Sequence, residues 1–430
     1  MLSGPGLGVL HARVVFAGVL AAVLCVPIPL GANRPLAWFA WETGVFALLA
    51  LCSLGLAMGR QAPGLSTASF RILAVLTLWL AMVFAQTLPV PESLVSALNP
   101  LVHDLQKDLG LISVSTAPTL SIDPGNTYNE LLKYGAYVAV FLMTLVTVTT
   151  RARLLTAAGV IIAAGVVESV FEIYSQTTGF IPFPESGAAN ELRTGTFVNR
   201  NHYANLLSMS LGLVFGLLTA VVNSQRRGAG VNIARYGDRD TALMLLLLAT
   251  ALLLVAGIFL SGSRAPIVFF TLSLATMLAL GRSRNRDATG ELVLLPLALL
   301  GCAVTIIAMG FDDSLVRLLD RDLFGGERMT QNLAGLKMLA AVWPTGVGAG
   351  NYQWMFPMFR GDDLRFVTYD HAHNDYLETV IELGIPAAAI LCLGVLLMIR
   401  EMLTGYRVRR NPVIRGVIFP RTCLPPTPIG

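Results

Sequence analysis

The feature that most constrains this chain is the run of residues 241–260, which carries no charge at all. A helix of about 20 apolar residues is long enough to cross a bilayer. Similar runs recur along the chain, and only 13% of its 430 residues are charged, roughly half the share of a soluble domain. Because backbone groups in lipid must be hydrogen-bonded internally, such runs indicate helices. The sequence therefore predicts an all-α, polytopic membrane helical bundle.

We predict about ten transmembrane helices from the length and spacing of the apolar runs. The first run leads straight into a second one and lacks a small-x-small cleavage site, so we expect a retained span and not a cleaved signal peptide. The predicted spans cover residues 14–30, 36–58, 72–89, 131–149, 154–175, 204–222, 241–260, 265–281, 291–310 and 375–399.

The distribution of basic residues orients the predicted bundle. With the N-terminus in the cytoplasm, most of the 30 Lys and Arg residues fall in mostly short segments on the cytoplasmic side. This is the positive-inside pattern of membrane proteins. It predicts that the longer connections, 90–130, 176–203 and 311–374, lie on the external side.

This topology divides the chain into four parts. They are nine spans with two external loops over 1–310, a large external loop over 311–374, a last span over 375–400, and a basic, Pro-rich cytoplasmic tail over 401–430. The large loop is expected to contain amphipathic helices, one of them over 328–342, and then a turn at WPTGVGAGNY. The stretch SLVSALNPLVHDLQKDLG in the first external loop is amphipathic and is expected to lie on the membrane surface.

The stretch YDHAHNDYLETVIELG, residues 369–384, concentrates polar side chains where the large loop enters the last span. Asp375 and Glu378 predict a capping-box-like helix start, and Asp375, Glu378 and Glu382 then share one helix face. Carboxylates at the entry of a membrane helix indicate either a wet site or partner cations.

The two histidines of this stretch can be interpreted in three ways. His371, His373 and Asp370 could bind a metal, although no further ligand has diagnostic spacing. One histidine could act as a general base, because an ordinary pKa of about 6.5 leaves the ring neutral near neutral pH. Either could also be a polar helix-entry residue without a chemical role.

Other polar side chains precede apolar segments. Arg264 lies between two apolar runs in LSGSRAP, where an arginine has a partner or a task, or reaches the interface. Arg200 and His202 follow GTFVN at the start of a span, where Asn199 could equally cap the helix. Arg328 belongs to a set of cations in the large loop that alternate with acidic residues, as on a solvated face.

Glu168 and Glu172 lie one helical turn apart near the outer end of span 154–175. They share a helix face and repel each other unless a cation or water lies between them. We therefore expect them to pair with an external arginine.

The motifs GTFVNRNHYAN, SGSRA, GVGAGNY and HAHNDYLETVIELG occur in this order, and GANRPLAWFAWE lies near the N-terminus. Together they resemble the O-antigen ligase and O-antigen polymerase superfamily of bacterial inner-membrane proteins, including its exopolysaccharide-type members. The resemblance runs from about Gly31 to Arg400. Family members usually continue with one or two further spans, whereas this chain ends in a Pro-rich segment too short to cross, so we expect a shortened C-terminus.

The resemblance implies a function at the periplasmic face of the bacterial inner membrane. There a glycan is transferred from a polyprenyl diphosphate to a hydroxyl of an acceptor glycan or lipid. The family's His and Gly, separated by ten residues, match His373 and Gly384, and its Arg-x-x-x-Leu element matches Arg264 with Val268 in place of Leu. His373 and Arg264 are thus the implied catalytic residues. The implied substrate-binding residues are Arg200, His202, Arg328, His371 and Asn374.

The residue types agree with this chemistry. Arginine stabilises the growing anionic charge of a diphosphate leaving group bidentately and without a metal, and a neutral histidine can accept the proton of an acceptor hydroxyl. We therefore expect no metal, no other cofactor and no nucleic-acid partner.

Two other functions stay open. A transporter or flippase of lipid-linked saccharide would place its charges near the bilayer midplane, on broken helices in repeated halves. A non-catalytic partner in polysaccharide assembly would need no reactive group. The sequence does not distinguish a ligase from a polymerase, and it does not identify the sugar or the acceptor.

Overall fold

The computed structural model describes residues 5–28, 30–58, 65–112, 117–180, 195–225, 238–261, 327–361 and 369–408. All regular secondary structure within these ranges is helical, which confirms the predicted all-α class. The α-helices are α1 Pro5–Cys25, α2 Pro35–Ala57, α3 Thr67–Ala85, α4 Glu92–Leu98, α5 Pro100–Ile112, α6 Pro124–Thr147, α7 Arg151–Thr178, α8 Arg200–Gln225, α9 Asp238–Leu260, α10 Glu327–Val342, α11 Tyr352–Met355 and α12 Asp375–Val408.

Seven of the described helices are long and apolar enough to cross a membrane, namely α2, α3, α6, α7, α8, α9 and α12. The predicted first span corresponds to α1, whose apolar part, His11–Cys25, is a shorter helix. The predicted spans 265–281 and 291–310 lie outside the described residues. The chain is therefore a multi-pass membrane protein by helix length and composition, and the count of ten spans stays a prediction.

Local sequence explains where several helices begin. Pro35 is the first residue of α2, where its missing N–H costs no helical hydrogen bond. The hydroxyl of Ser66 accepts a hydrogen bond from the N–H of Ser69 at 3.1 Å and caps α3. Thr150 caps α7 in the same way through the N–H of Arg153, at 3.3 Å.

The chain forms two compact units. The first comprises residues 1–63, 143–320 and 402–430, and the second comprises residues 64–142 and 321–401. In the first unit, a stripe along α8 with three- to four-residue spacing packs against a matching stripe of α9. The stripes consist of Tyr203, Leu207, Leu211, Val214 and Leu218 on α8, and Leu247, Ala251, Leu254, Val255 and Ile258 on α9.

The core of the second unit joins α4 and α5 to α10 and to the chain that follows α10. Val95 and Val102 of the amphipathic stretch are completely buried there, together with Met338 and Val342 of α10. The stretch is helical, as an amphipathic segment should be. Its apolar face is at least partly covered by protein at these two valines, and its location on a membrane surface stays a prediction.

Candidate active site

The loop that enters α8 is held by two buried carboxylates of α7. The N–H of Gly195 donates to Oε2 of Glu172 at 2.7 Å, and the N–H of Thr196 donates to Oε2 of Glu168 at 2.9 Å. The Thr196 hydroxyl lies 2.8 Å from Oε1 of Glu168 and 2.8 Å from the carbonyl oxygen of Pro27. Amide N–H groups therefore supply positive partners for both carboxylates, and their predicted pairing with an external arginine stays a prediction.

Helix α8 begins directly after this loop. Oδ1 of Asn199 accepts the N–H of Asn201 at 2.8 Å, so Asn199 caps the helix, as one interpretation of the motif predicted. Arg200 and His202 lie in the first turn of α8 and are exposed. Their role as substrate ligands stays a prediction.

The loop before α12 contains both predicted histidines and is held by one carboxylate. Nδ1 of His371 lies 2.7 Å from Oε1 of Glu378, and the N–H of Ala372 donates to Oε2 of the same carboxylate at 2.7 Å. Glu378 thus reaches back from the start of α12 and binds the loop backbone and an imidazole ring together. The His371 side chain is 72% exposed and that of Glu378 15%.

Asn374 caps α12. Its Oδ1 accepts the N–H of Leu377 at 3.2 Å, and its Nδ2 donates to Oδ1 of Asn332 on α10 at 3.3 Å. The predicted capping box of Asp375 and Glu378 is therefore wrong, because the cap lies one residue earlier and Glu378 binds the loop beyond it. The amide of Asn374 has a structural task, and its role as a substrate ligand stays a prediction.

His373 lies between these fixed points in a left-handed backbone conformation, with φ 51. This conformation is uncommon for a residue other than glycine, and sparsely populated backbone regions cost about 1–3 kcal/mol unless the surroundings impose them. Here the neighbouring Ala372 and Asn374 are both hydrogen-bonded. The predicted general base is therefore exposed at a turn that its surroundings define.

The environment of His371 favours its protonated form. The hydrogen bond to Glu378 is the main cause that raises the pKa of the His371 ring above its ordinary value, while partial loss of hydration opposes the rise. The nearby carboxyl groups of Glu382 and Asp370 act in the same direction as Glu378. A ring of this kind is suited to contact an anion.

Gly384, the end of the predicted His-to-Gly element, is where α12 breaks. Its φ of 72 and ψ of 171 interrupt the helix, and Pro386 lacks the N–H that a continuous helix would use. A Cβ at position 384 would lie 2.5 Å from the carbonyl oxygen of Pro344. Gly346 lies on the other side of this contact, where a Cβ would meet the carbonyl oxygen of Glu382 at 2.4 Å. Only glycine fits at either position.

The glycine-rich turn binds the carbonyl groups that the break exposes. The N–H of Val347 donates to the carbonyl oxygen of Ile381 at 3.0 Å, and the N–H of Gly348 donates to that of Glu382 at 2.9 Å. In the opposite direction, the N–H of Ile385 donates to the carbonyl oxygen of Pro344 at 3.0 Å. These contacts replace the helical hydrogen bonds that the break removes, as an apolar environment requires.

Two buried amide side chains complete this junction. Nε2 of Gln86 donates to the carbonyl oxygens of Thr345, at 3.0 Å, and of Glu382, at 3.1 Å. Nδ2 of Asn99 donates to the carbonyl oxygen of Gly346 at 2.7 Å. Neither residue stands out in the sequence as a site residue. The signal available was an isolated amide at the end of an apolar run for Gln86, and one directly before a proline for Asn99.

The three carboxylates that share one predicted helix face have different surroundings. Asp375 is exposed, Glu378 binds the histidine loop, and Glu382 is buried with its Oε1 accepting the N–H of Tyr352 at 3.0 Å. Glu382 therefore holds the chain after the glycine-rich turn. The wet part of this face is limited to the first turns of α12.

The predicted site residues fall into three groups. One loop of the second unit brings together His371, His373 and Asn374, and the first unit contains Arg200 and His202. Outside the described part of the chain are Arg264 and the side chain of Arg328. The predicted convergence of arginines on the histidine loop therefore stays a prediction.

Residues 249–392 match the family model described as O-antigen ligase. No curated protein matches the chain. The matched range includes LSGSRAP, the glycine-rich turn, the histidine loop and the break in α12. This confirms the resemblance that the motifs indicated.

Proposed function

We propose, on the premise that residues 249–392 belong to the O-antigen ligase family, that this protein is a membrane glycosyltransferase. It moves a glycan from a polyprenyl-diphosphate carrier to a hydroxyl of an acceptor glycan or lipid. The reaction takes place at the periplasmic face of the inner membrane, because the carrier cannot leave the bilayer and the longer loops are predicted to lie outside.

The histidine loop is the observation that carries this proposal. His373 lies at an exposed turn whose two neighbours are hydrogen-bonded, directly before a capped helix. A general base must be accessible to the hydroxyl whose proton it accepts, and it works best when its position is fixed beforehand. His373 is accordingly the proposed base.

We assign the stabilisation of the anionic leaving group to arginines. Arg264 is the proposed catalytic cation, and Arg200 and Arg328 are proposed to bind the donor with it. Guanidinium groups bind phosphate oxygens bidentately and keep their charge at all relevant pH values. His202 and Asn374 are assigned to binding of the sugar or the acceptor.

Transfer in a purified system tests the proposal. The full chain in lipid nanodiscs is mixed with polyprenyl-diphosphate-linked glycan and candidate acceptors, and the products are identified by mass. A product in which the glycan is joined to the acceptor, formed also in the presence of a chelator, supports a metal-independent transferase. Growth of the donor glycan itself would identify a polymerase, and joining to a different glycolipid would identify a ligase.

The break in α12 is the observation that favours the alternative of a saccharide transporter, since transporters often bind substrates at broken helices. In this protein, however, segment 344–348 and Gln86 already occupy the carbonyl groups exposed at the break. Movement of lipid-linked glycan across vesicle membranes, without any new glycosidic bond, would establish transport and exclude the transferase.

A further inference from the structure

Glu378 divides its two oxygens between a side chain and the backbone of the histidine loop. Oε1 lies 2.7 Å from Nδ1 of His371, and Oε2 accepts the N–H of Ala372 at 2.7 Å. With Nδ1 bound to the carboxylate, the ring presents Nε2 from a side chain that is 72% exposed. Within the described part of the chain, Nε2 has no hydrogen-bond partner. A carboxylate that binds one ring nitrogen and so orients the other is a recurring arrangement for acid–base histidines.

The backbone that carries the ring is also fixed. Nε2 of Gln331 on α10 donates to the carbonyl oxygen of His371 at 2.8 Å, and Gln331 is itself 1% exposed. Tyr369 and Ala372, on either side, are buried at 7% and 2% exposure. The ring therefore has little freedom to lose when a ligand binds, which preorganised sites exploit.

The charged groups around His371 favour a positive ring. Glu378 and Glu382 act from α12 and Asp370 acts from the loop itself, and all three raise the pKa of His371. The side chains of α10 that are described as bonding this loop, Gln331 and Asn332, are both uncharged. The carboxylate partner of His371 therefore favours retention of a proton on its ring.

We propose that Glu378 is a positioning residue that directs Nε2–H of His371 toward the diphosphate leaving group, an inference that rests on the proposed function. In the reaction the acceptor oxygen bonds to the anomeric carbon, and its proton passes to His373. The bond from the anomeric carbon to the diphosphate oxygen breaks, and the diphosphate keeps the electron pair. Nε2–H of His371 donates a hydrogen bond to the departing diphosphate and stabilises its charge.

Histidine NMR tests the pair without any activity measurement. The chain has 5 histidines, so isotope-labelled histidine in nanodiscs gives few signals, and His371→Gln assigns the one of interest. We expect the His371 ring to titrate at a lower pH in Glu378→Gln than in the wild type. Asp375→Asn is the matched control, because Asp375 is an exposed carboxylate in the same turn of α12 and should leave the titration unchanged. An identical His371 titration in wild type and Glu378→Gln would show that Glu378 does not act on the His371 ring, and the proposed pair would be wrong.

Addition of polyprenyl diphosphate to the same samples tests the ligand. The His371 signal should shift and its titration should move to higher pH, because a bound diphosphate stabilises the imidazolium. Polyprenyl monophosphate should have a weaker effect. If polyprenyl diphosphate saturates the protein while the His371 signal stays unchanged, His371 does not contact the leaving group and the proposed role is wrong.

The pH profile of the transfer rate shows whether His371 acts as a hydrogen-bond donor or as a general base. A protonated His371 produces the alkaline limb of the profile, so Glu378→Gln should move that limb to lower pH and slow transfer by about 10- to 100-fold, less than loss of a complete acid–base group can cost. Asp375→Asn should keep the wild-type profile. A shift of the acidic limb instead would make His371 a base and overturn the proposed role. The proposed function would be refuted if the wild-type protein made no glycosidic bond. The NMR titration would still show whether Glu378 acts on His371, and the ligand shifts would still show whether His371 contacts a diphosphate.

Discussion

The two polar loops that lead into α8 and α12 are built alike and differ in one component. Each leads into a helix capped by an asparagine, Asn199 in one and Asn374 in the other. In each, glutamates accept hydrogen bonds from the loop backbone. In the first loop the glutamates come from a neighbouring helix, are 1% exposed and accept hydrogen bonds from backbone amides and a hydroxyl. In the second, Glu378 belongs to the entered helix and also binds a histidine ring.

This difference distinguishes a structural role of the first loop from a role of the second loop in the reaction. Fully buried carboxylates that are satisfied by backbone amides hold a loop in place and cannot reach a substrate. The Glu378 carboxylate, whose side chain is 15% exposed, is bound to an exposed imidazole ring. Its charge therefore acts on a ring that can contact a substrate. We therefore expect changes at the first loop to alter stability, and changes at the second to alter catalysis.

The largest expected effect is that of His373→Ala, which tests whether the second loop is catalytic. Loss of a general base typically slows a reaction by about 10²–10⁴-fold. We expect the transfer rate, measured with lipid-linked donor, to decrease by a factor in this range. The level of folded protein, measured by size-exclusion chromatography, should stay the same. His103→Ala is the control, since that histidine pairs with Glu92 and Asp104 and not with a described group of the histidine loop. Near wild-type transfer by His373→Ala would remove the distinction between the loops.

Gly384→Ala tests the junction behind the second loop. The new Cβ would lie 2.5 Å from the carbonyl oxygen of Pro344 in a backbone with φ 72, so we expect a loss of about 2–4 kcal/mol in unfolding free energy. A fall in thermal stability in detergent measures it. Gly394→Ala on the same helix is the control, because its Cβ would make ordinary contacts at 3.5 Å. Equal stability of the two variants would contradict the role of the break.

Thr196→Val tests the support assigned to the first loop. The change keeps the side-chain shape but removes the hydroxyl that lies 2.8 Å from both Glu168 and the carbonyl oxygen of Pro27. Unsatisfied buried polar groups cost about 1–3 kcal/mol, so thermal stability should fall while the catalytic rate of the remaining folded protein is retained. Thr177→Val, at an exposed position of α7, should change stability by no more than about 0.5 kcal/mol. A slower catalytic rate at unchanged stability would assign chemistry to this loop as well.

The smallest expected effect is the pH dependence of stability due to His371. Because the pKa of this ring is raised in the folded protein, its stabilising contribution is complete below the ordinary value of 6.5 and is lost as pH rises through the folded value. The melting temperature of the wild type relative to His371→Gln should therefore decrease from about pH 6 to pH 8. The ring is mostly exposed and its ion pair is screened, so the effect should stay below about 1 kcal/mol. A constant difference across this range would show that Glu378 does not perturb the ring.

The elements that could be predicted from the sequence are those whose structure is determined locally. The apolar runs predicted the membrane helices, and the change from polar to apolar residues placed the start of α12 at residue 375. The helix over 328–342 and the turn after it were also confirmed. In each case, neighbouring residues determine the hydrogen bonds that form.

The features that escaped prediction depend on residues far apart in the chain. The aromatic residues Trp354, Phe356 and Phe359 follow the glycine-rich turn in a predicted external loop, and this pattern by itself predicts anchors at the membrane interface. That expectation is wrong for Phe356, which is 1% exposed because its ring lies against Tyr352 and Tyr369. Trp354 is 64% exposed, as an anchor would be. The partners of Gln86 at the break in α12 are likewise distant, so no periodicity could reveal them.

The break at Gly384 also has a consequence for biogenesis. The turn at 344–348 that binds its exposed carbonyl groups lies upstream, so the ribosome has already produced it when α12 emerges. Helix α12 can therefore find these hydrogen-bond partners as soon as it inserts. A variant that weakens the turn would leave α12 with unpaired carbonyl groups during insertion, so the yield of inserted protein should fall together with its stability.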